Sequence, residues 1–229
     1  MKFSSKRHQN NTKMLIKKKI YDIKEGIKFL KKFKKTKFSE SVDLACQINI
    51  DPKKTEQNIR GTIILPHGTG KTIKIAVFAP EEKKKIALQS GADLVGLEDL
   101  LEILKTQKKN IDFVLATPES MNFVKNLGPI LGPQGLMPNY KDGTITNDLP
   151  QIIHNLKKGT IKYRNDKNGI IHSSIGKIQF PLEKLYENIL FFLKHIKKSK
   201  PNQLKGFYFK KINLSTTMSP GIIINHLSI

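Results

Sequence analysis

Cysteine is almost missing from this chain. The single Cys46 excludes an intrachain disulfide and any multi-thiolate metal site. It stands in an alternating run with Val42, Leu44, Ile48 and Ile50, so it is expected to pack as a small buried hydrophobe. A reactive thiol is disfavoured, because no helix start or basic neighbour is there to lower its pKa. Long apolar runs are missing too. No stretch reaches the roughly 18 residues a membrane helix needs, so no membrane partner is expected. The opening residues, Met1 to Arg7, contain no secretory apolar core and are too few to read as a transit peptide. The protein is therefore expected to work where it is made.

Glycine is missing where a nucleotide would need it. Gly70-Lys71-Thr72 ends like a phosphate-binding loop, but the position five residues before Gly70 is Leu65. That loop also leads into an apparent strand, so no helix amino terminus would face a phosphate. Residues 79–85, after the first strand of the middle segment, contain no glycine, which removes the dinucleotide fingerprint. The six histidines are scattered, with no pair at i, i+4. No serine, histidine and acid grouping announces a nucleophile. No catalytic residue, metal or cofactor is expected, and the protein is read as not an enzyme.

Acid is scarce: 41 Lys and Arg face 19 Asp and Glu, a formal net charge of +22. Only Arg7, Arg60 and Arg164 are arginines, and the chain is visibly rich in Ile and Asn, so AT-rich codon usage explains part of the lysine excess. It does not explain the distribution. Residues 67–159 hold 12 lysines and 10 acids, a net +2, and the rest of the chain carries +20. One part of the protein is built to face a polyanion and another is not.

The hydrophobic pattern gives the same division. A helix starting at Asp22, with Glu25 placed as in a capping box, buries Ile23, Ile27, Leu30 and Phe33. Strands follow at 41–50 and 61–65, with a short helical turn from Asp51-Pro52 between them. Between 67 and 159, strands at 73–78, 94–95 and 111–116 alternate with helices from Pro80, Glu98 and near Pro118, as in a parallel sheet covered by helices. The Gly/Pro-dense stretch 128–138 is expected to be irregular, and a helix at 148–158 ends on Gly159. Beyond it, 161–163 and 170–175 read as a hairpin joined by Asn165 to Gly169. A helix from Pro181 then buries Leu182, Leu185, Ile189, Phe192, Leu193 and Ile196, before strands at 207–214 and 222–224. Strands before 66 and after 160 would complete one sheet. The expected fold is thus a discontinuous α+β outer domain, 1–66 plus 160–229, with an inserted α/β domain, 67–159. Two adjacent crossings containing Pro66, Gly68, Gly70 and Gly159 would form a hinge.

Two clusters in the outer part point to RNA. Lys34 to Ser41 joins a basic run to Phe38 at a helix-to-strand junction, and Ser215-Thr216-Thr217-Met218 ends a strand with three hydroxyls. Lysines bind phosphates, an aromatic packs on ribose or base, and hydroxyls reach the 2′-OH. The alternative is that Phe38 and Met218 are plain core and the lysines are only solvated. Two other classes compete with stable RNA binding in a particle: an enzyme using a nucleotide in the middle domain, and a free regulator of messenger RNA.

At these residues the sequence resembles the L-one family of large-subunit ribosomal proteins. The resemblance runs through Lys37-Phe38-Ser39-Glu40-Ser41-Val42, Gln57 to Gly61, Leu65 to Gly70, Gly91-Ala92-Asp93, Leu127 to Pro138, Tyr163 to His172 and Ser215 to Met218. It implies a split α+β domain that binds ribosomal RNA and an inserted Rossmann-like domain. It also implies an RNA face containing Lys37, Phe38, Ser41, Lys167, His172, Thr217 and Met218, with Thr217 and Met218 foremost. The implied partners are large-subunit ribosomal RNA, transfer RNA leaving the exit site beside a mobile stalk, and, in some bacterial members, the protein's own message. The implied state is a monomer within the ribosome. The wording is of bacterial or organellar type; the Ile/Lys/Asn bias favours the plastid stroma, with an AT-rich bacterial cytoplasm as the alternative. Three positions depart from the family pattern: Gln134 replaces an arginine, Tyr140 a proline, and Ser219 a glycine.

Overall fold

The computed structural model describes residues 5–15, 19–33, 36–54, 57–106, 111–201, 204 and 206–225. In chain order the elements are α1 (Lys6–Lys13), β1 (Ile20–Tyr21), α2 (Ile23–Lys32), β2 (Ser41–Ile48), β3 (Arg60–Ile64), β4 (Ile75–Phe78), α3 (Glu81–Gln89) and β5 (Leu94–Gly96). They continue with α4 (Glu98–Thr106), β6 (Phe113–Ala116), α5 (Met121–Lys125), α6 (Gly128–Leu131), α7 (Leu149–Lys157), β7 (Thr160–Arg164), β8 (Ile170–Lys177), α8 (Leu182–Lys198), β9 (Phe209–Thr216) and β10 (Ile222–Ile224). The chain divides into two compact units, residues 1–71 with 160–229 and residues 72–159. The class is α+β with an α/β insertion.

In the outer unit a five-stranded sheet runs β1-β10-β9-β2-β8, with β1 parallel to β10 and the other neighbours antiparallel. Period-2 alternation decides which face is buried. Val42, Leu44, Cys46 and Ile48 of β2 are buried and belong to one core with Ile27 and Leu30 of α2 and Ile189, Phe192 and Leu193 of α8. Burial pushes the Cys46 thiol far above its ordinary pKa, so it stays protonated and inert. Gly26 lets α2 sit close on the sheet: a Cβ there would stand 2.5 Å from Ile224 Cδ1. Asp22 occupies the N-cap position of α2, but its side chain makes no capping bond, so the capping box read from Asp22 and Glu25 does not form.

The strands do not make one sheet. β7 pairs antiparallel with β3 in a separate two-stranded sheet, and between β7 and β8 only the isolated bridge Asn165↔Ile171 remains of the expected hairpin. Buried Asn165 explains the change of partner. Its Oδ1 accepts from the Ile59 N–H at 2.7 Å and its Nδ2 donates to Asn58 Oδ1 at 3.0 Å, which fastens the end of β7 beside the start of β3. α1 and β1 were not foreseen, because residues 1–21 show polarity rather than periodicity.

The middle unit has a three-stranded parallel sheet, β5-β4-β6, with β4 central. Every residue of β4 and β6 is buried, as a sheet covered on both faces requires. Ile75 and Val77 face one core with Ala87 of α3 and Ile153 of α7; Ala76 and Phe78 face a second with Leu100 of α4 and Val124 of α5. The Gly/Pro stretch does contain a helix, α6. Pro129 lies in its first turn, where a missing N–H breaks no helical bond, so the proline density there is tolerated.

The first crossing lies later than the sequence placed it. His67 N–H donates to Asn188 Oδ1 at 3.1 Å, and Asn188 Nδ2 donates to the carbonyls of Gly68 and Ile175, both at 3.0 Å. The His67 ring also pairs with Glu187. Gly70 has φ 67° and lies so close to Phe180 that a Cβ would meet its ring at 2.8 Å. Pro66, Gly68 and Gly70 therefore belong to the outer unit, and the boundary falls after Lys71, not after Pro66. Gly159, with φ 109°, closes the middle unit at the second crossing.

Candidate nucleic-acid interface

Five of the seven expected contact residues meet at one end of β2. Ser41 opens that strand and Thr217 follows β9, and the two grip each other. Ser41 N–H donates to Thr217 Oγ1 at 3.1 Å, and Thr217 N–H donates to the Ser41 carbonyl at 3.1 Å. Lys177, opposite Ser41 on β8, donates from Nζ to Ser41 Oγ at 3.0 Å. Thr217 is exposed, and its hydroxyl, which accepts internally, still has a proton to donate. Met218 is 47% exposed and is not plain core.

Before β2, Thr36 Oγ1 donates to the Phe38 carbonyl at 2.7 Å, closing a turn that leaves Lys37 exposed and the Phe38 ring 53% exposed. An aromatic displayed beside an exposed lysine is the arrangement that packs on a nucleotide while neutralising its phosphate. Lys34 and Lys35, also read as phosphate contacts, lie outside the described residues.

Lys167 and His172 lie elsewhere. His172 pairs with Ala45, four residues along β2 from Ser41, which is roughly 13 Å at the ordinary strand rise. Lys167 is exposed in the turn before β8. Asp166 builds that turn: its Oδ1 accepts from the N–H groups of Asn168 and Ile170, both at 2.8 Å. The Ile170 N–H above all, then the Asn168 N–H and nearby His172, hold this carboxyl below its ordinary pKa. His172 Nε2 stands 3.6 Å from Asp166 Oδ2. The seven residues therefore form two groups at opposite ends of one sheet face, joined by Asp43, Ser174 and Ser215, which pair across β2, β8 and β9.

Sequence reasoning missed Lys177, Asp43 and Ser219. Ser219 Oγ accepts from the Thr216 N–H at 2.8 Å, and Ser219 N–H donates to the Thr216 carbonyl at 3.2 Å. The serine that departs from the family's glycine thus closes the turn presenting Thr217 and Met218. Its signal was the departure itself. Among the described residues no cluster of metal-ligating side chains occurs, and no helix is long and apolar enough to cross a membrane.

On the expectation that this face binds large-subunit ribosomal RNA, Thr217→Val should weaken that binding by about 1–3 kcal/mol, since an RNA acceptor buried in such an interface would be left unpaired. Thr217→Ser, which keeps both roles of the hydroxyl, should bind nearly as the original. Filter-binding isotherms at fixed salt, on that RNA and on an unrelated duplex, check this. Equal losses on both RNAs would show that Thr217 only holds Ser41.

Comparison with known proteins gives one answer across the chain. The profile of the Ribosomal protein L1p/L10e family matches residues 30–220. A protein of Buchnera aphidicola subsp. Cinara cedri named large ribosomal subunit protein uL1 is 60% identical over 224 residues, 98% of this chain and 99% of that one. The protein of the same name from Pasteurella multocida is 49% identical over 211 residues, 92% of each chain. That from Acidithiobacillus ferrooxidans is 48% identical over 205 residues, 90% of this chain and 89% of the other. These relatives are bacterial, and none of them supports the plastid reading that composition favoured.

Proposed function

The chain belongs to the ribosomal protein L1p/L10e family, and from that membership we propose that it is a structural, non-enzymatic protein of a bacterial large ribosomal subunit that binds large-subunit ribosomal RNA directly through its outer unit. One observation carries the reading: Lys37, Phe38, Ser41, Thr217 and Met218 converge at one sheet end. The lysine field supplies salt-dependent affinity, and the paired hydroxyls and aromatic supply shape and sugar recognition. The test is a hydroxyl-radical footprint of the purified chain on bacterial large-subunit ribosomal RNA. A discrete protected segment is expected at a salt concentration where small-subunit RNA is not bound; uniform or absent protection would overturn the reading.

The same proposal gives the middle unit its role. An RNA-anchored outer unit and a nearly neutral middle unit suit a mobile stalk that follows transfer RNA as it leaves the exit site. The rotation would be taken up at Lys71 to Lys74 and at Gly159, since residues 66–70 are fastened to α8. Repression of the protein's own message would use the outer surface again, wherever that message folds into the same shape.

A further inference from the structure

Ser41 Oγ accepts from Lys177 Nζ at 3.0 Å, and a fault in the regular strand pairing puts the lysine there. Along β8, His172, Ser173 and Ser174 stand opposite Ala45, Leu44 and Asp43, but Gly176 and Lys177 stand opposite Val42 and Ser41. Ile175 is the extra residue of a β-bulge. Strict alternation from the exposed His172 and Ser174 would turn residue 177 into the core. With the bulge, Ile175 and Gly176 are both buried and Lys177 comes out beside Ser41. Two glycines make room for this. A Cβ on Gly176 would stand 3.0 Å from Leu185 Cδ2, and one on Gly70 would stand 3.2 Å from Lys177 Cγ. The segment 66–70, held to α8 by Asn188, therefore also lies against the Lys177 stem.

Bulges re-aim side chains at functional sites, and this one re-aims a charge. Among the described residues Lys177 has no carboxylate partner, and its ammonium donates only to a neutral hydroxyl. That bond leaves the Ser41 hydroxyl with a proton to donate, as the bond from the Ser41 N–H leaves Thr217 with one. An ammonium and two hydroxyl donors are thus linked through a single serine. Their complement is a backbone phosphate, an anion whose free oxygens accept from several donors at once. A base edge suits them less, because most edges set donors beside acceptors.

We propose that Lys177 binds one phosphate of the bound RNA jointly with the Ser41 and Thr217 hydroxyls, and that it positions Ser41 for that contact. The proposal rests on the RNA reading given above. It adds to that face a residue to which neither the basic run nor the hydroxyl cluster pointed.

The test uses the full chain on bacterial large-subunit ribosomal RNA ethylated at random phosphates. With the original chain, ethylation at several phosphates inside the footprint should exclude the RNA from the complex. With Lys177→Met the hydroxyl-radical footprint should stay in place, and interference should vanish at one of those phosphates only. Binding should weaken roughly tenfold, and the slope of log K against log salt should flatten by about 0.7–0.9, the share of one phosphate. Lys177→Arg, which keeps the charge, should keep the slope. A lysine that merely braced Ser41 would alter affinity without altering slope or interference. If Lys177→Met fails to fold, judged by its circular dichroism melt, acetylation of the original chain decides: bound RNA should protect Lys177. Slope and interference unchanged in Lys177→Met, or Lys177 acetylated as fast in the complex as in the free chain, would overturn the proposal and leave the RNA reading intact. Interference at a guanine methylated on N7, with none lost at a phosphate, would overturn it too, by moving the contact to a base. Absence of any footprint would bring down the RNA reading, and the proposal with it.

Discussion

Asn188→Leu is expected to destabilise the outer unit by about 3–5 kcal/mol. The side chain is fully buried on α8 and satisfies three backbone groups: the His67 N–H and the carbonyls of Gly68 and Ile175. Leucine matches its size and removes all three bonds at once. Each buried group left unpaired costs about 1–3 kcal/mol, with His67 and Gly68 near enough to the surface to recover part of it from water. Against a total stability of about 5–15 kcal/mol that is a large share. Because the two units have separate cores, unfolding should show two transitions, and only the outer one should move. Glu187→Ala, which removes the exposed partner of the His67 ring, should cost under about 1 kcal/mol. Denaturant melts followed separately in each unit check this. A loss below about 1 kcal/mol for Asn188→Leu would mean that the segment 66–70 is not held by α8.

That residue also shows where the sequence was legible and where it was not. The apolar stripe of α8 could be read from spacing alone, and Leu185, Ile189, Phe192, Leu193 and Ile196 are all buried. Asn188 occupies a position in that same stripe, and a polar residue there was the available signal that the helix reaches back to bind something polar. What it binds, Pro66 to Gly70, looked like a linker because proline and glycine break regular structure whether or not a segment is anchored. Strand pairing was illegible for a related reason. β3 and β7 lie about a hundred residues apart, and their union depends on Asn165 reaching Ile59, which no local pattern encodes. The Thr217 and Phe38 clusters were legible because each sits at a strand end with its chemistry in consecutive residues.

The second large effect concerns affinity. With the boundary where the structure puts it, residues 72–159 hold 11 lysines against 10 acids, a net +1, and the outer unit carries +21. Residues 1–71 joined by a short glycine linker to 160–229 should fold, because their core is complete without the middle unit and β3 and β7 already pair across the cut, Ile64 with Thr160. This outer piece should keep the affinity of the full chain for large-subunit ribosomal RNA within a few-fold, and the isolated middle piece should bind at least about 100-fold more weakly. The salt dependence should divide in the same way. Each phosphate neutralised contributes about −0.9 to the slope of log K against log salt on a duplex, so a slope of several units should survive in the outer piece and nearly vanish in the middle one. Charge alone does not guarantee this outcome, since a neutral surface with well-placed donors also binds RNA. The two contributions separate in the comparison: a flat slope with retained affinity in the middle piece would locate recognition there, and would leave the lysine field of the outer unit as a non-specific attractor only.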